Sequence, residues 1–156
     1  MGDKAQQVPV DWEGLALTSH YDTAVAIRDA LQEGNMAEAT QGLEELIEAL
    51  SRSDERELRS YLIRLMQHII KWRVQPERRT PSWVASIEHA RGEIAELRQD
   101  HPRFTRRMIK ERMWQRCLRS AHREAAIDMN RERIAEMTLS WDEVFETVYT
   151  LEQRDC

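Results

Sequence analysis

The stretch from Leu58 to Trp72 constrains the fold more than any other part of this sequence. Apolar side chains recur there in steps of four, three, four and three residues, at Leu58, Leu62, Leu65, Ile69 and Trp72. That spacing is the period of one face of an α-helix. A second set widens the apolar arc beyond half of the circumference, namely Ile63, Met66 and Ile70. A helix this apolar has neighbours on several sides, so we predict a central helix over about residues 54–74.

Residues that favour turns are scarce and fall between the periodic stretches. The chain has only five glycines and four prolines, too few for a many-stranded sandwich or barrel. Further helices are predicted over about residues 19–33, 36–50, 81–99 and 102–129, with a last one after Ser140. The fifth helix either continues past Met129 or kinks there. We therefore predict an all-α fold, a single domain of five to six helices over residues 19–156, preceded by a polar arm over residues 1–18.

Bulk composition excludes several classes of protein. No stretch approaches the roughly 18 consecutive apolar residues of a membrane span, and the first residues lack the apolar region of a secretory signal. Two cysteines, Cys117 and Cys156, make neither a disulfide framework nor a metal knuckle. We expect a soluble, cytoplasmic protein with no membrane partner, no metal and no cofactor.

Charge is distributed in three blocks. Residues 1–58 hold 13 acidic and 4 basic side chains, residues 59–137 hold 10 and 18, and residues 138–156 hold 5 and 1. The net charge of −5 is the sum of the charges of these three blocks. Acidic and basic helices of this kind complement each other, within one fold or across a dimer. Arginine outnumbers lysine by 20 to 3, which suits paired hydrogen bonds to carboxylates.

A polar cluster at the end of the central helix is the first candidate site. His68 and Trp72 are one helical turn apart, as are Lys71 and Gln75. A carboxylate such as Glu45 faces them if the second and third helices form an antiparallel hairpin. The full candidate set is Glu45, His68, Lys71, Trp72, Gln75, Arg79 and Trp83. One interpretation is a pocket with His68 as acid or base. The other, which we favour, is a hydrogen-bonded network that fixes helix register.

The second candidate site is a basic stripe in the fifth helix. Residues 103–123 carry eight basic side chains and one acid. The stripe at helical spacing consists of Arg112, Arg116, Arg119 and Arg123, with Phe104 and Trp114 interleaved. Such a stripe either follows a phosphate backbone, with the aromatics stacking on bases, or pairs with the acidic part of the chain. Pairing with the chain's own acid is the interpretation we favour, since no nucleic-acid motif is present.

Metal binding and nucleophilic catalysis have weaker support. Di-metal bundles need Glu-x-x-His on two helices, and no histidine here has glutamate three residues before it. Only His89 has a carboxylate one turn on, at Glu93. Cys117 lies on the apolar stripe of the fifth helix, where a buried thiol is usually inert.

The stretch ELRSYLIRLMQHIIKWRVQPERRTPSW, residues 57–83, resembles a bacterial family of helical domains, domain of unknown function family 29. The residues that carry the resemblance over about 21–102 are Tyr21-Asp22, Leu43-Glu44-Glu45, His68-Ile69-Ile70-Lys71-Trp72, Gln75-Pro76-Glu77, Ser82-Trp83, Ile87 and Arg91. The resemblance implies a compact, soluble helical domain from a bacterium, and it implies no activity. Our leading hypothesis is a non-enzymatic interaction or structural module that binds protein, itself included. A binder of an anionic partner such as nucleic acid is the alternative, and an enzyme with a His68 pocket is third.

Overall fold

The computed structural model describes residues 9–151. Within that range it contains seven α-helices and one short 3-10 helix, and no β-strand. The α-helices are α1 (Trp12–Thr18), α2 (His20–Gln32), α3 (Met36–Val74), α4 (Pro81–Asp100), α5 (Arg106–Arg112), α6 (Trp114–Asp128) and α7 (Trp141–Phe145), and the 3-10 helix spans Pro76–Arg78. The all-α prediction is confirmed, with one helix more than the upper end of the predicted range.

The chain divides into two compact units, Met1–Glu55 and Arg56–Cys156. In the first unit, Trp12 of α1 packs with Ile27, Ala30 and Ala39 of the next two helices. The Trp12 indole also donates a hydrogen bond of 2.7 Å to the Glu38 carboxylate. Residues 12–18, predicted to belong to a polar arm, are therefore helical, while residues 1–8 lie outside the described range. The prediction that residues 19–156 fold as one domain stays a prediction.

The second unit is built on the later part of α3, as the apolar period predicted. Six of its side chains are completely buried, namely Leu58, Leu62, Leu65, Met66, Ile69 and Ile70. They pack with apolar residues of α4, α5, α6 and α7 in one continuous cluster. The predicted central helix is thus the helix on which this unit is built.

Residues 36–50 and 54–74 belong to one helix, which corrects the predicted break near Ser51 and Ser53. Serine and aspartate can cap a helix, but in a helix interior they cost only a few tenths to about 0.7 kcal/mol relative to alanine. Neither glycine nor proline lies between residues 43 and 75. A capping signal without a residue that ends the preceding helix therefore did not produce a boundary.

The predicted fifth helix is divided into α5 and α6 at Met113. It begins at Arg106 and not near Pro102, because the Thr105 hydroxyl accepts a hydrogen bond from the Met108 amide and caps α5. It ends at Asp128, and Asn130 has a φ of 53°. A non-glycine residue in this left-handed region ends a helix, so there is no continuation past Met129.

Candidate functional site

Lys71, predicted as part of a polar pocket, forms an ion pair in the second unit. Its Nζ lies 3.2 Å from the Asp128 carboxylate and 4.9 Å from the centre of the Trp83 ring. The Gln67 amide donates a second hydrogen bond, of 2.6 Å, to the same carboxylate oxygen. The Lys71 side chain is only 12% exposed. Its charge is therefore satisfied by a carboxylate and an aromatic face, and the group links α3 to the end of α6.

His68 donates its Nδ1–H to the Arg64 carbonyl oxygen, at 2.8 Å, one turn back on α3. Burial lowers the pKa of His68, and the nearby cation of Lys71 lowers it further. The neutral imidazole is thus the favoured form near pH 7. The Arg64 carbonyl oxygen orients the ring and fixes its tautomer, which leaves Nε2 as the nitrogen that could accept a proton.

Trp72 is buried and does not form the rim of an open pocket. Its ring meets Tyr149 edge to face at 5.7 Å between centroids. The Arg79 guanidinium lies over the Trp72 ring at 4.6 Å and donates a 2.9 Å hydrogen bond to the Trp72 carbonyl oxygen. Gln75 is buried at the end of α3, and its carbonyl accepts from the Arg78 amide. These residues therefore end α3 and fasten it to the C-terminal segment.

Glu45 does not lie on a helix that folds back on His68. Both residues belong to α3, with Glu45 earlier on the same helix and within the first unit. The hairpin that would have placed a carboxylate opposite the His68 cluster is not formed. Sequence reasoning instead missed Asp128 and Gln67, because Asp128 comes from α6 and no local pattern ties it to α3.

Partly buried arginines bind carbonyl groups and aromatic rings more than carboxylates. Arg91 Nε donates to the Val144 carbonyl at 2.8 Å, and its guanidinium lies 5.4 Å from the Tyr149 ring. Arg98 repeats this arrangement with the Phe104 carbonyl at 2.9 Å and the Trp141 ring at 5.5 Å. A planar guanidinium can do both at once, whereas an ammonium group cannot stack in this way. Arginine thus has a second structural use besides the predicted carboxylate pairing, which is also present, as in the Arg91–Glu88 pair at 3.6 Å.

The basic stripe is exposed to solvent. Its members on α5 and α6 all have exposed side chains, namely Arg112, Arg116, Arg119 and Arg123. The two interleaved aromatics, Phe104 and Trp114, are buried in the core of the second unit. Neither ring can stack on a base without leaving that core. The predicted stacking of Phe104 and Trp114 on nucleic-acid bases is therefore not supported.

Cys117 is fully buried, and burial raises the pKa of its thiol to about 11. We expect Cys117 to resist alkylation by iodoacetamide at pH 8, because the thiolate is the reactive form. In a Cys156→Ser variant, mass spectrometry should show almost no adduct on the folded protein and complete modification in urea. Rapid labelling of the folded variant would contradict the buried position. Among residues 9–151, no group of three or more histidine, cysteine or carboxylate side chains could hold a metal ion.

These observations define an all-α protein, in which Lys71 links two helices through Asp128. The family model described as "Domain of unknown function DUF29" matches residues 24–151, most of the chain. The chain belongs to this family, and the match extends well beyond the 21–102 stretch that carried the resemblance. No curated protein and no solved structure matches the chain significantly. Across the described residues, every helix is too short or too polar to cross a membrane.

Proposed function

We propose that this protein is a non-enzymatic interaction module, and that it docks a partner on an apolar face in the first part of α3. The face consists of Met36, Leu43, Ile47 and Leu50, which are 63%, 47%, 59% and 41% exposed. Their spacing of seven, four and three residues places them on one side of the helix. We call these four residues the α3 apolar face.

The distribution of exposed apolar side chains is the observation that carries this proposal. Among the described residues, eight of the ten large exposed hydrophobics belong to the first unit. Besides the α3 apolar face they are Val10, Leu17, Tyr21 and Leu31. Single exposed hydrophobics are ordinary, but a row of them on one helix marks an interaction surface.

Charge beside this face points to a basic partner. Glu44 and Glu48 follow Leu43 and Ile47 directly, and both are exposed, Glu48 also pairing with Arg52 at 3.3 Å. Two such faces from two copies would bring like charges together, which opposes association. The partner we propose is therefore an amphipathic helix whose apolar row is flanked by lysine or arginine, bound in the helix-in-groove manner. The predicted self-association stays a prediction and is not assigned to this face.

The test uses a labelled 18-residue peptide helix with a leucine row flanked by lysines, titrated with the full-length protein. The Leu43→Ser/Ile47→Ser variant should bind at least about tenfold more weakly, since burying one such side chain contributes roughly 1.5–3 kcal/mol. Both positions are exposed, so the variant should fold with nearly unchanged stability. Fluorescence anisotropy gives the affinities, and circular dichroism verifies the helix content.

Ile127→Ser is the matched control, because Ile127 is also exposed, at 70%, but lies on α6 in the second unit. It should leave peptide binding unchanged. A peptide in which glutamates replace the lysines should bind much more weakly. Equal binding of both peptides, or equal loss in the control variant, would contradict the proposal.

The other predictions from the sequence stay predictions. A cytoplasmic location rests on composition alone, and a bacterial source on the family resemblance. The anionic-partner alternative keeps one support, the exposed arginines of the stripe, and an oligonucleotide is therefore included in the experiment below.

A further inference from the structure

A second candidate surface lies wholly in the second unit, where a groove of about 1020 Å³ runs between α6 and the segment that follows it. Its apolar lining includes Leu118 and Ala126 of α6, both buried, and Ile134 and Met137 of the segment, both half-buried. Three arginines also line it, Arg119, Arg123 and Arg133, and all three are exposed. We call this the α6 groove.

The segment beside the groove, residues 129–140, has no regular secondary structure after the turn at Met129 and Asn130. His122 holds it against α6, because its Nε2 lies 3.0 Å from the Met137 carbonyl oxygen. Connections longer than about 12–15 residues without regular structure are uncommon in compact proteins and are usually either functional or linker segments, and this one is close to that length. Here the connection forms one wall of a groove.

The backbone of this wall is available for hydrogen bonding. Within residues 9–151, no amide or carbonyl group of residues 132–136 has a hydrogen-bond partner. The neighbouring Met137 is bound by His122, and Thr138 accepts from Arg73. A run of free backbone groups between two fixed points is what an added strand of peptide binds.

The charge of the groove favours an anionic ligand. Arg119, Arg123 and Arg133 make no ion pair within the described part of the chain. Two glutamates, Glu132 and Glu136, also line the groove, so the excess of positive charge is small. A modest excess suits a ligand with spaced carboxylates better than a polyphosphate chain.

The absence of aromatic side chains separates peptide from nucleic acid. No Phe, Tyr or Trp lines the α6 groove. Proteins that bind single-stranded nucleic acid combine a basic groove with aromatic rings on which the bases stack. The apolar lining made of aliphatic side chains is instead suited to alternate side chains of an extended peptide.

We propose that the α6 groove binds an extended acidic peptide, with its apolar side chains on Leu118 and Ile134 and its carboxylates on the arginines. The peptide backbone would pair with residues 132–136. This second site differs from the α3 apolar face in location and in the charge of its ligand. The two proposals can therefore be tested independently of each other.

The experiment titrates full-length protein with a labelled 12-residue peptide of alternating valine and glutamate. The controls are the same peptide with lysine for glutamate, and a 12-nucleotide oligo-dT, each at two salt concentrations. We expect the acidic peptide to bind. The Arg119→Gln/Arg123→Gln variant should weaken its binding at least tenfold. Ala135→Pro should weaken it too, because proline removes one of the free amides.

Arg116→Gln is the matched control, since Arg116 is exposed on the same helix but does not line the groove. It should leave peptide binding unchanged. Tighter binding of oligo-dT, with equal losses in the Arg116 and groove variants, would overturn the proposal in favour of nucleic acid along the stripe. Peptide binding that is insensitive to Ala135→Pro, or no peptide binding at millimolar protein, would overturn it as well. Leu43→Ser/Ile47→Ser should have no effect here, which keeps this result independent of the first unit.

Discussion

Replacing Trp72 with alanine is expected to lower the free energy of unfolding of the second unit by about 3–5 kcal/mol. The buried indole would be lost together with its edge-to-face contact to Tyr149 and its stacking with Arg79. The cavity left behind lies between the end of α3 and the C-terminal segment, where polar neighbours cannot fill it. Urea denaturation followed by far-ultraviolet circular dichroism measures this loss.

Trp83→Ala is the control for this prediction. Trp83 is only half-buried, and its polar contact is the Lys71 ammonium over its ring. We expect its replacement to cost less than half as much, since less of this ring is buried and the cation over it contributes about 0.5–2 kcal/mol. If Trp72→Ala and Trp83→Ala had equal and small effects, Trp72 would belong to an open pocket, as one interpretation of the sequence held.

Gly42→Ala is expected to destabilise the first unit, although alanine normally strengthens a helix interior. A Cβ at this position would lie 2.6 Å from two carbons of the Trp12 ring and 2.8 Å from Ile27 Cγ1. Overpacking of this kind typically costs about 1–3 kcal/mol, which exceeds the roughly 0.5–1 kcal/mol gained from helix propensity. Hydrogen exchange of peptides from α1 and α2 should therefore become faster.

Gly92→Ala provides the opposite case within a helix of the same protein. Gly92 is exposed in α4, and a Cβ there would meet nothing within 4 Å. The substitution then changes only the helix propensity, which is higher for alanine than for glycine. We expect about 0.5–1 kcal/mol of added stability and a higher melting temperature. Protection that is unchanged or increased in Gly42→Ala would show that α1 does not pack closely on α3.

Helix ends with complete local signals could be predicted from the sequence. Thr80 before Pro81 caps α4, with its hydroxyl accepting from the Trp83 amide at 3.3 Å. Ser140 and Glu143 form a capping box at the start of α7, the last helix, which was predicted after Ser140. Every group in these motifs lies within a few residues in the chain, so local chemistry determines the geometry. The apolar pattern after Ser140 continues to Leu151, whereas α7 ends at Phe145, so this pattern does not mark the end of the helix.

The candidate polar site could be predicted only in part. The sequence pointed to His68, Lys71 and Trp72 on one helix, and they do lie near its end. Their partners come from elsewhere in the second unit: the Asp128 carboxylate is on α6, and the Tyr149 ring follows α7. Partners that are distant in the chain leave no periodic signal. The sequence alone therefore could not distinguish a polar pocket from a hydrogen-bonded network.

By itself the sequence determined that this protein is all-helical, where most of its helices begin, and that Leu58 to Trp72 is a core helix. The helical period, the capping residues and the scarcity of glycine and proline are local properties of the sequence. They can be recognised without knowing the rest of the fold. Only the tertiary structure decided which apolar faces are covered. Leu62 and Ile47 both lie on periodic apolar stripes of α3, yet Leu62 is completely buried and Ile47 is 59% exposed. The helical period of the sequence shows that a helix has an apolar face. Whether that face is buried depends on whether another element of the fold packs against it.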